Sequence, residues 1–361
     1  LRSLVFNIFF YLWTGLLLLV LIPILLLPGS RAILAIGLLW GRGNLWALRV
    51  ICDMKVEWRG MEKIPDGPIL VAAKHQSAWE TFAFFVPFRR PAYVYKRQLA
   101  YVPLFGWTVW KARQIPVDRG RKGEALASIE EEAARVGAPL HVLGRDFFVE
   151  GLATGRGPSV RTRVRGPCGA PALDVRLPVA GRHQATNAAV AVAIARTLGL
   201  AEAAIVAGLA RVTLPGRMER VLARPTVVID GAHTAASGAA ALATARDCFP
   251  HSRLHLVIGV LGEKDGEGVL GPLLAAAASV TCSPVPSPRA LPSERLASLA
   301  RRLTSCPVEV AADPAAALDA AITRADPDDL VLVTGSTYLA GAARTAARAH
   351  PGFLGGPPPP A

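Results

Sequence analysis

An uncharged apolar stretch, Leu4–Leu27, is the feature that most limits how this chain can fold. About 20 consecutive apolar residues form a helix long enough to cross the hydrocarbon core of a bilayer. Tyr11 and Trp13 suit the headgroup layer, where amphipathic rings are enriched. Three basic residues follow the stretch, Arg31, Arg42 and Arg49. This distribution of positive charge favours a cytoplasmic location for the chain after the helix.

A signal peptide is the alternative interpretation of this stretch. The apolar run is longer than the apolar region of a signal peptide, and no small-residue cleavage motif follows it. We therefore predict a retained membrane anchor over residues 1–30, with the bulk of the chain on the cytoplasmic side. The net charge of +13 suits an anionic membrane phospholipid surface as partner. Because the basic residues are scattered and no nucleic-acid motif is present, we expect no nucleic-acid partner.

The composition of the chain changes sharply near residue 125. All seven tryptophans lie at or before Trp110, and Lys264 is the only lysine after Lys122. The later part is rich in Ala, Val, Arg and Gly. This shift predicts two parts of separate origin, joined somewhere within residues 122–138. The five cysteines are widely spaced and form no C-x-x-C pair, so they predict neither a disulfide framework nor a metal site.

A histidine and a glutamate follow a short apolar run in the front part, PILVAAKHQSAWETFAF. Residues 68–73 read as a buried strand, and His75 and Glu80 come after it. A carboxylate at this spacing can hold one imidazole nitrogen while the other takes a proton from an attacking hydroxyl. Taken alone, such a pair is more often an ordinary pair of surface residues.

The residues around this pair resemble the first signature block of the glycerol-phosphate and lysophosphatidic acid acyltransferases. The resemblance implies that His75 is the general base and that Glu80, where the family has Asp, orients it. It also implies that Arg119 contacts the phosphate of the acceptor, lysophosphatidic acid, with acyl-CoA or acyl-carrier protein as acyl donor. The family's third block, of the Phe-Pro-Glu-Gly-Thr-Arg type, is not found, and the resemblance covers about residues 1–127.

The back part alternates strand-like apolar runs with helical stretches of ten or more residues. The predicted strands are Thr226–Asp230, Leu254–Val260, Val280–Ser283, Val308–Ala311 and Leu330–Thr334. This alternation is typical of a mostly parallel, doubly wound α/β sheet. Ligands bind such sheets at the carboxyl ends of the strands. Polar residues follow three of these strands at that edge, namely Asp230 with His233, Lys264 with Asp265, and Ser336.

The back part resembles the folylpolyglutamate/dihydrofolate synthases of the Mur ligase superfamily. The resemblance rests on HQATN, LPGRMER, DGAH, GEKD and TGSTY in that order. It implies nucleotide contacts from Asn187, Arg217, Asp230 and His233, with Lys264 and Ser336 near the nucleotide or the incoming glutamate. It also implies ATP and Mg as cofactors, and folate and glutamate as substrates. Without the resemblance, Asn187 and Asp230 read as helix N-caps and Lys264 as a solvated loop charge.

The family's glycine-rich phosphate loop, ending in Lys and Ser or Thr, is not found in the sequence. We therefore expect an acyltransferase and an ATP-dependent carbon–nitrogen ligase fused with both sites incomplete. A non-catalytic membrane-tethered remnant and the product of a chimeric gene are the alternatives. We expect an α/β fold with an N-terminal transmembrane helix, a partial acyltransferase domain, the end of a Mur ligase central domain and a Rossmann-like ligase domain. The expected ranges are 1–30, 31–127, 128–213 and 214–352, with a disordered tail over 353–361.

Overall fold

A computed structural model describes residues 2–64, 79–88, 91–117, 126–127, 129–131, 133–134, 137, 139–154, 157, 159–166, 170–262 and 266–354. The chain divides into two compact units, Leu1–Leu140 and His141–Ala361, called here the front unit and the back unit. The predicted strand at residues 68–73 lies outside the described residues, as do His75, Arg119, Lys264, Asp265 and the tail from residue 355.

Two long helices begin the front unit, α1 (Arg2–Ile24) and α2 (Arg31–Cys52). They pack side by side and run in opposite directions. Two contacts show this: Trp40 Nε1 donates a hydrogen bond to Thr14 Oγ1 at 2.9 Å, and the Phe9 and Trp46 rings lie 6.1 Å apart. Within the described part of the chain, α1 alone is long and apolar enough to cross a membrane, with a mean hydropathy of 2.3. A signal sequence can have the same length and apolar composition, so the membrane anchor remains a prediction.

Short elements make up the rest of the front unit that the structure describes. They are α3 (Trp79–Ala83), β1 (Val94–Lys96), α4 (Phe105–Lys111) and β2 (Ile115–Val117), with 3-10 turns at Met61–Lys63 and Arg97–Tyr101. Strands β1 and β2 pair in parallel. Phe82 and Ala83 of α3 are buried against Leu48 of α2, with the Phe10 and Trp40 rings beside them. A small aromatic core therefore joins α3 to the two long helices.

The back unit begins with an antiparallel sheet of β3 (Phe148–Thr154), β4 (Val160–Arg165) and β5 (Leu173–Leu177). Residues alternate between buried and exposed along β4 and β5, so one face is covered. Helices α5 (Arg182–Thr197) and α6 (Glu202–Leu209) cover that face with small apolar side chains such as Ala189 and Val192. This layer lies within residues 128–213, the range expected for the end of a Mur ligase central domain.

A six-stranded sheet forms the rest of the back unit. Its strands are β6 (Glu219–Ala223), β7 (Thr226–Ile229), β8 (Leu254–Ile258), β9 (Ser279–Cys282), β10 (Val308–Val310) and β11 (Leu330–Thr334). Its helices are α7 (Ala235–Cys248), α8 (Gly266–Leu274), α9 (Ser293–Leu303), α10 (Pro314–Arg324) and α11 (Thr337–Ala347). The strand order is β10-β9-β8-β11-β7-β6, with β6 antiparallel and the other strands parallel.

Helices cover both faces of this sheet, which confirms the doubly wound prediction. One core contains buried residues of α7, α8 and α9, and the other contains those of α10 and α11. All five predicted strands are present, and each ends within two residues of its predicted end. Strands β8, β9 and β11 are buried along their whole length, which is why continuous apolar runs marked them in the sequence.

Candidate functional site

The candidate site is the carboxyl edge of the six-stranded sheet where β11 lies between β8 and β7. Strands β8, β9 and β10 follow one another outward on one side of β7, and the chain then crosses back to place β11 between β7 and β8. The direction in which strands are added to the sheet therefore reverses at β11. Such a reversal opens a crevice at the carboxyl ends of the strands. Gly335 follows β11 with φ of 105°, and a Cβ there would lie 2.6 Å from the Gly259 carbonyl oxygen after β8. This edge therefore depends on glycine for the close approach of two loops.

Asp230 lies directly after β7 and its side chain joins two loops. One carboxylate oxygen accepts the Met218 N–H at 2.9 Å and the other accepts the Ala232 N–H at 2.8 Å. Asp230 is 8% exposed, and its burial raises the pKa of the carboxyl above its ordinary value. The two N–H groups and the charge of Arg217 lower the pKa and partly offset the burial. Asp230 is thus a buried anchor for the loops on either side of it.

Arg217 and His233 are carried by the two loops that Asp230 holds. Arg217 is exposed, next to buried Met218, whose φ of 47° turns the chain sharply. The His233 ring Nδ1 lies 2.9 Å from the Gly231 carbonyl oxygen. Since that carbonyl can only accept, Nδ1 is the donor in this hydrogen bond, which fixes the orientation of the ring. The loops that carry Arg217 and His233 also meet directly, because the Gly231 N–H donates to the Gly216 carbonyl oxygen at 2.9 Å.

The interpretation of Asp230 as a helix N-cap is wrong. Helix α7 is capped by Thr234, whose hydroxyl oxygen accepts the Ser237 N–H at 3.2 Å. The Ser237 hydroxyl oxygen in turn accepts the Thr234 N–H at 2.9 Å. These reciprocal bonds are a capping box. Asp230 is therefore available to hold the two loops.

Helix α5 brings a chain of hydrogen bonds to the same region. Asn187 Nδ2 donates to Gln184 Oε1 at 3.0 Å, and Gln184 Nε2 lies 3.1 Å from His183 Nε2. Gln184 is 6% exposed. Desolvation lowers the pKa of His183, Asp230 raises it and Arg217 lowers it, with a net decrease. Ala180, just before α5, is buried in the same core as Met218 and Ala232, so the amino-terminal end of α5 lies beside the carboxyl edge.

The prediction that Asn187 opens this helix is wrong. Helix α5 begins at Arg182, after Gly181 with φ of 109°, so Asn187 lies in its second turn. Asn187 therefore offers its side chain from a helix face and does not cap the helix. His183 and Gln184 were missed as functional candidates, although the spacing of His-Gln-x-x-Asn puts all three side chains near one another once the segment is helical.

Ser336 is nearly fully buried, with 2% of its surface exposed. Its hydroxyl oxygen accepts the Tyr338 N–H at 3.2 Å and caps α11. Ser336 thus lies at the predicted edge, beside Gly335. In the front unit, Glu80 lies in the first turn of α3, and its backbone oxygen accepts from the Tyr93 hydroxyl at 3.4 Å. The predicted partners His75, Arg119 and Lys264 lie outside the described residues.

Two family models match the chain, one in each part. Residues 55–167 match a family described as acyltransferase, and residues 216–337 match one described as Mur ligase, glutamate ligase domain. The first range contains His75, Glu80 and Arg119. The second contains Arg217, Asp230, His233, Lys264 and Ser336. The acyltransferase match runs beyond the predicted boundary at residue 127, and the domain ranges stay predictions.

Known proteins similar to the chain divide in the same way. A probable bifunctional folylpolyglutamate synthase/dihydropteroate synthase of Haloferax volcanii is 41% identical over 64% of this chain and 28% of its own length. A 1-acyl-sn-glycerol-3-phosphate acyltransferase of Pseudomonas aeruginosa is 40% identical over 26% of this chain and 36% of its own length. The crystal structure of Mycobacterium tuberculosis folylpolyglutamate synthase complexed with ADP and AMPPCP matches with a TM-score of 0.59 and 30% identity. That match covers 70% of this chain and 61% of the mycobacterial chain.

The chain therefore combines an acyltransferase-like part with a part that resembles folylpolyglutamate synthases. It spans 28% and 36% of the length of the two curated relatives. Both predicted resemblances are confirmed, as is the α/β fold with a Rossmann-like back part.

Proposed function

We propose that the back unit binds an adenine nucleotide at the carboxyl edge of its six-stranded sheet. The observation that carries this proposal is the double hydrogen bond of Asp230, which fixes the loops of Arg217 and His233 together at the strand reversal. A guanidinium group suits phosphate oxygens because its N–H groups match them in pairs. The similarity to a synthase crystallised with ADP and AMPPCP supports the choice of nucleotide.

The remaining residues of the edge have defined places in this proposal. Asn187 offers a side-chain oxygen for the nucleotide, since its amide nitrogen is already bonded to Gln184. The amino-terminal ends of α7 and α11 lie after the same strands, and helix amino termini favour anions. By the resemblance, Lys264 and Ser336 would act near the nucleotide or the incoming glutamate.

The reaction that such a site serves is ATP-dependent amide formation. A folate carboxylate attacks the terminal phosphate of ATP, forming an acyl phosphate and releasing ADP. The amine of glutamate then attacks the acyl carbon and phosphate leaves. Magnesium would neutralise phosphate charge when bound. Among the described residues no group of three His, Cys, Asp or Glu side chains could hold a metal ion, so we assign no magnesium ligand.

The front unit is proposed to be anchored in a membrane by α1 and to derive from lysophosphatidic acid acyltransferases. In the reaction of that family, His75 would remove the proton from the acceptor hydroxyl, Glu80 would orient the ring and Arg119 would bind the acceptor phosphate. The acyl group comes from acyl-CoA or acyl-carrier protein, and its thiol is the leaving group. The anchor places this chemistry beside lipid substrates on the cytoplasmic side.

We further propose that neither site completes a catalytic cycle. The sequence lacks the third acyltransferase block, and it lacks the glycine-rich phosphate loop of the ligases. The missing block belongs to the later part of an acyltransferase sequence, and the missing loop belongs to the earlier part of a ligase sequence. A single event that joined the two sequences would remove both. The chain then acts as a membrane-tethered nucleotide-binding protein.

Turnover assays on the full chain in phospholipid vesicles test this proposal. Acyl transfer from acyl-CoA to lysophosphatidic acid should not exceed that of His75→Ala, and folate-dependent ADP release should not exceed that of Asp230→Ala. Activity that these substitutions abolish would show that the sites are complete. Activity that survives them would show that the site residues are wrongly assigned.

Substitution of Gln184 should weaken nucleotide binding without loss of fold. In Gln184→Leu the buried volume is kept while Asn187 loses its fixed orientation, and one such hydrogen bond is worth about 1 kcal/mol. We expect a roughly fivefold to tenfold higher Kd for ADP by calorimetry. Thr186→Ala, an exposed change in the same turn, is the control and should leave the Kd unchanged. An unchanged Kd in Gln184→Leu would remove Asn187 from the binding site.

A further inference from the structure

A cluster of exposed aromatic and aliphatic side chains covers one part of the front unit. Trp110 is 78% exposed, Tyr101 is 74% exposed and Trp107 is 60% exposed. Trp107 and Trp110 are three residues apart on α4 and so share one face of that helix. Leu99 and Val102, exposed in the adjacent turn, complete what we call the aromatic surface. Large exposed apolar surfaces of this kind mark contacts with membranes or other proteins.

The position of the aromatic surface is fixed by Lys111. This residue ends α4, and its Nζ donates to the backbone oxygens of Leu25 and Leu27, with the Ile24 oxygen 3.5 Å away. Those carbonyls lie at and just after the last residue of α1. The carboxyl-terminal end of α1 and the end of α4 are therefore held at one level. If α1 enters a bilayer, the aromatic surface is brought to the bilayer boundary.

The chemistry of the aromatic surface suits that boundary better than a dry protein interface. Tyr and Trp combine an apolar ring with a polar tip, and they concentrate at the headgroup level of membranes. Exposed Lys96 and Arg113 flank the segment that carries the rings. The neighbouring helix α2 begins with exposed Arg31, a few residues after the carboxyl-terminal end of α1. With a net charge of +13, these cations complement anionic headgroups.

We infer that the aromatic surface contacts the interfacial layer of a phospholipid bilayer, as a second attachment point beside α1. The inference rests on the proposed anchoring by α1 and extends it. Two attachment points would hold the front unit in one orientation on the membrane, whereas a single helix leaves it free to rotate. The edge of the front unit that carries β1 and α4 would then face the lipid.

Site-specific photo-crosslinking to lipid tests the inference on the full chain. The photoreactive p-benzoylphenylalanine, which is close to tryptophan in size, is placed singly at Leu12, Trp107, Trp110 or Leu198. Leu12 is on the exposed face of α1 and Leu198 is an exposed residue of the back unit. Each variant is reconstituted in vesicles of phosphatidylcholine and phosphatidylglycerol with a radiolabelled phospholipid, and is then illuminated.

The inference predicts lipid adducts at Leu12, Trp107 and Trp110, with yields roughly tenfold above that at Leu198, since interfacial residues stay in contact with lipid. Adducts at Leu12 without adducts at Trp107 and Trp110 would overturn the inference and leave the anchor intact. Absence of adducts at all four positions would overturn the anchor itself. Protein–protein adducts at Trp107 or Trp110 would show that another copy of the chain covers the surface, which also overturns the inference.

Discussion

Replacement of Asp329 by alanine is expected to destabilise the back unit by about 3 kcal/mol, because it removes a buried acceptor and leaves its donors unpaired. Asp329 is 1% exposed and lies just before β11. Its carboxylate accepts the Arg253 N–H at 3.0 Å, the Arg253 side chain at 2.8 Å and the Asp326 N–H at 2.9 Å. It also lies 3.0 Å from His255 Nε2, and the other nitrogen of that ring lies 2.8 Å from Ser279 Oγ. One side chain therefore ties together the starts of β8, β9 and β11.

Amide hydrogen exchange in β8 and β11 measures this effect, with the front unit of the same molecule as an internal reference. Exchange from these strands should accelerate by roughly a hundredfold for a loss of about 3 kcal/mol. Asp328→Ala, a neighbouring exposed carboxylate, is the control and should change little. Unchanged exchange in Asp329→Ala would mean that the cluster contributes no net stability.

The same carboxylate gives the stability of the back unit a defined dependence on pH. Burial of Asp329 raises the pKa of its carboxyl, but hydrogen bonds from Arg253, the Asp326 N–H and His255 outweigh the burial and hold the pKa below its ordinary value. A lowered pKa in the fold means that the stabilisation is complete above the unfolded pKa of about 3.9 and is lost as the pH falls below it. In the wild-type chain, exchange from β11 should accelerate on acidification below that value. The same acidification should have a smaller effect in Asp329→Ala.

Replacement of Asp230 by alanine is expected to raise the Kd for ADP by roughly a hundredfold or more. The change leaves the N–H groups of Met218 and Ala232 without their acceptor, and each loss is worth about 1–3 kcal/mol. The loops of Arg217 and His233 then keep only the backbone bond from the Gly231 N–H to the Gly216 carbonyl oxygen, so both nucleotide contacts weaken together. Calorimetric titration of the full chain with ADP measures the effect.

The control for this substitution is Asp174→Ala, an exposed carboxylate of β5 paired with Arg163. It changes the net charge equally and should leave the Kd unchanged. Asp230→Asn keeps the size of the side chain and separates loss of charge from loss of packing. A Kd that is unaltered in Asp230→Ala while the fold is intact would place the nucleotide elsewhere.

Three of the five predicted strands, β7, β8 and β11, were predictable because each is a mostly apolar run followed by aspartate or glycine at the carboxyl edge, whereas β3 to β6 were not predicted. Asp230 and Ser336 were located by this pattern alone. The beginning of α5 was not, since Gly181 offers no capping side chain and the polar residues after it resemble a loop. As a result Asn187 was mistaken for a cap, and the bonds among His183, Gln184 and Asn187 were missed.

Other features depended on contacts between distant residues that no local pattern announces. The bond between His255 and Asp329 joins residues 74 positions apart, and histidine inside a buried strand gives no local sign of a carboxylate partner. The tie of Lys111 to the end of α1 joins residues 84 to 87 positions apart. In contrast, the apolar sequence of α1 and the change in composition near residue 125 are properties of the sequence itself, and both could be recognised without the structure.

The most direct test of the nucleotide site is hydrogen exchange of the full wild-type chain with and without ADP. At about 1 mM ADP even a complex of about −4 kcal/mol is half populated, so weak binding is detectable. We predict slower exchange in the segments around Arg217, Asp230 and Gly335 and at the start of α5, with the amino edge of the sheet unchanged. Unchanged exchange at all of these segments, or protection confined to other parts of the chain, would contradict the assignment of this edge as the nucleotide site.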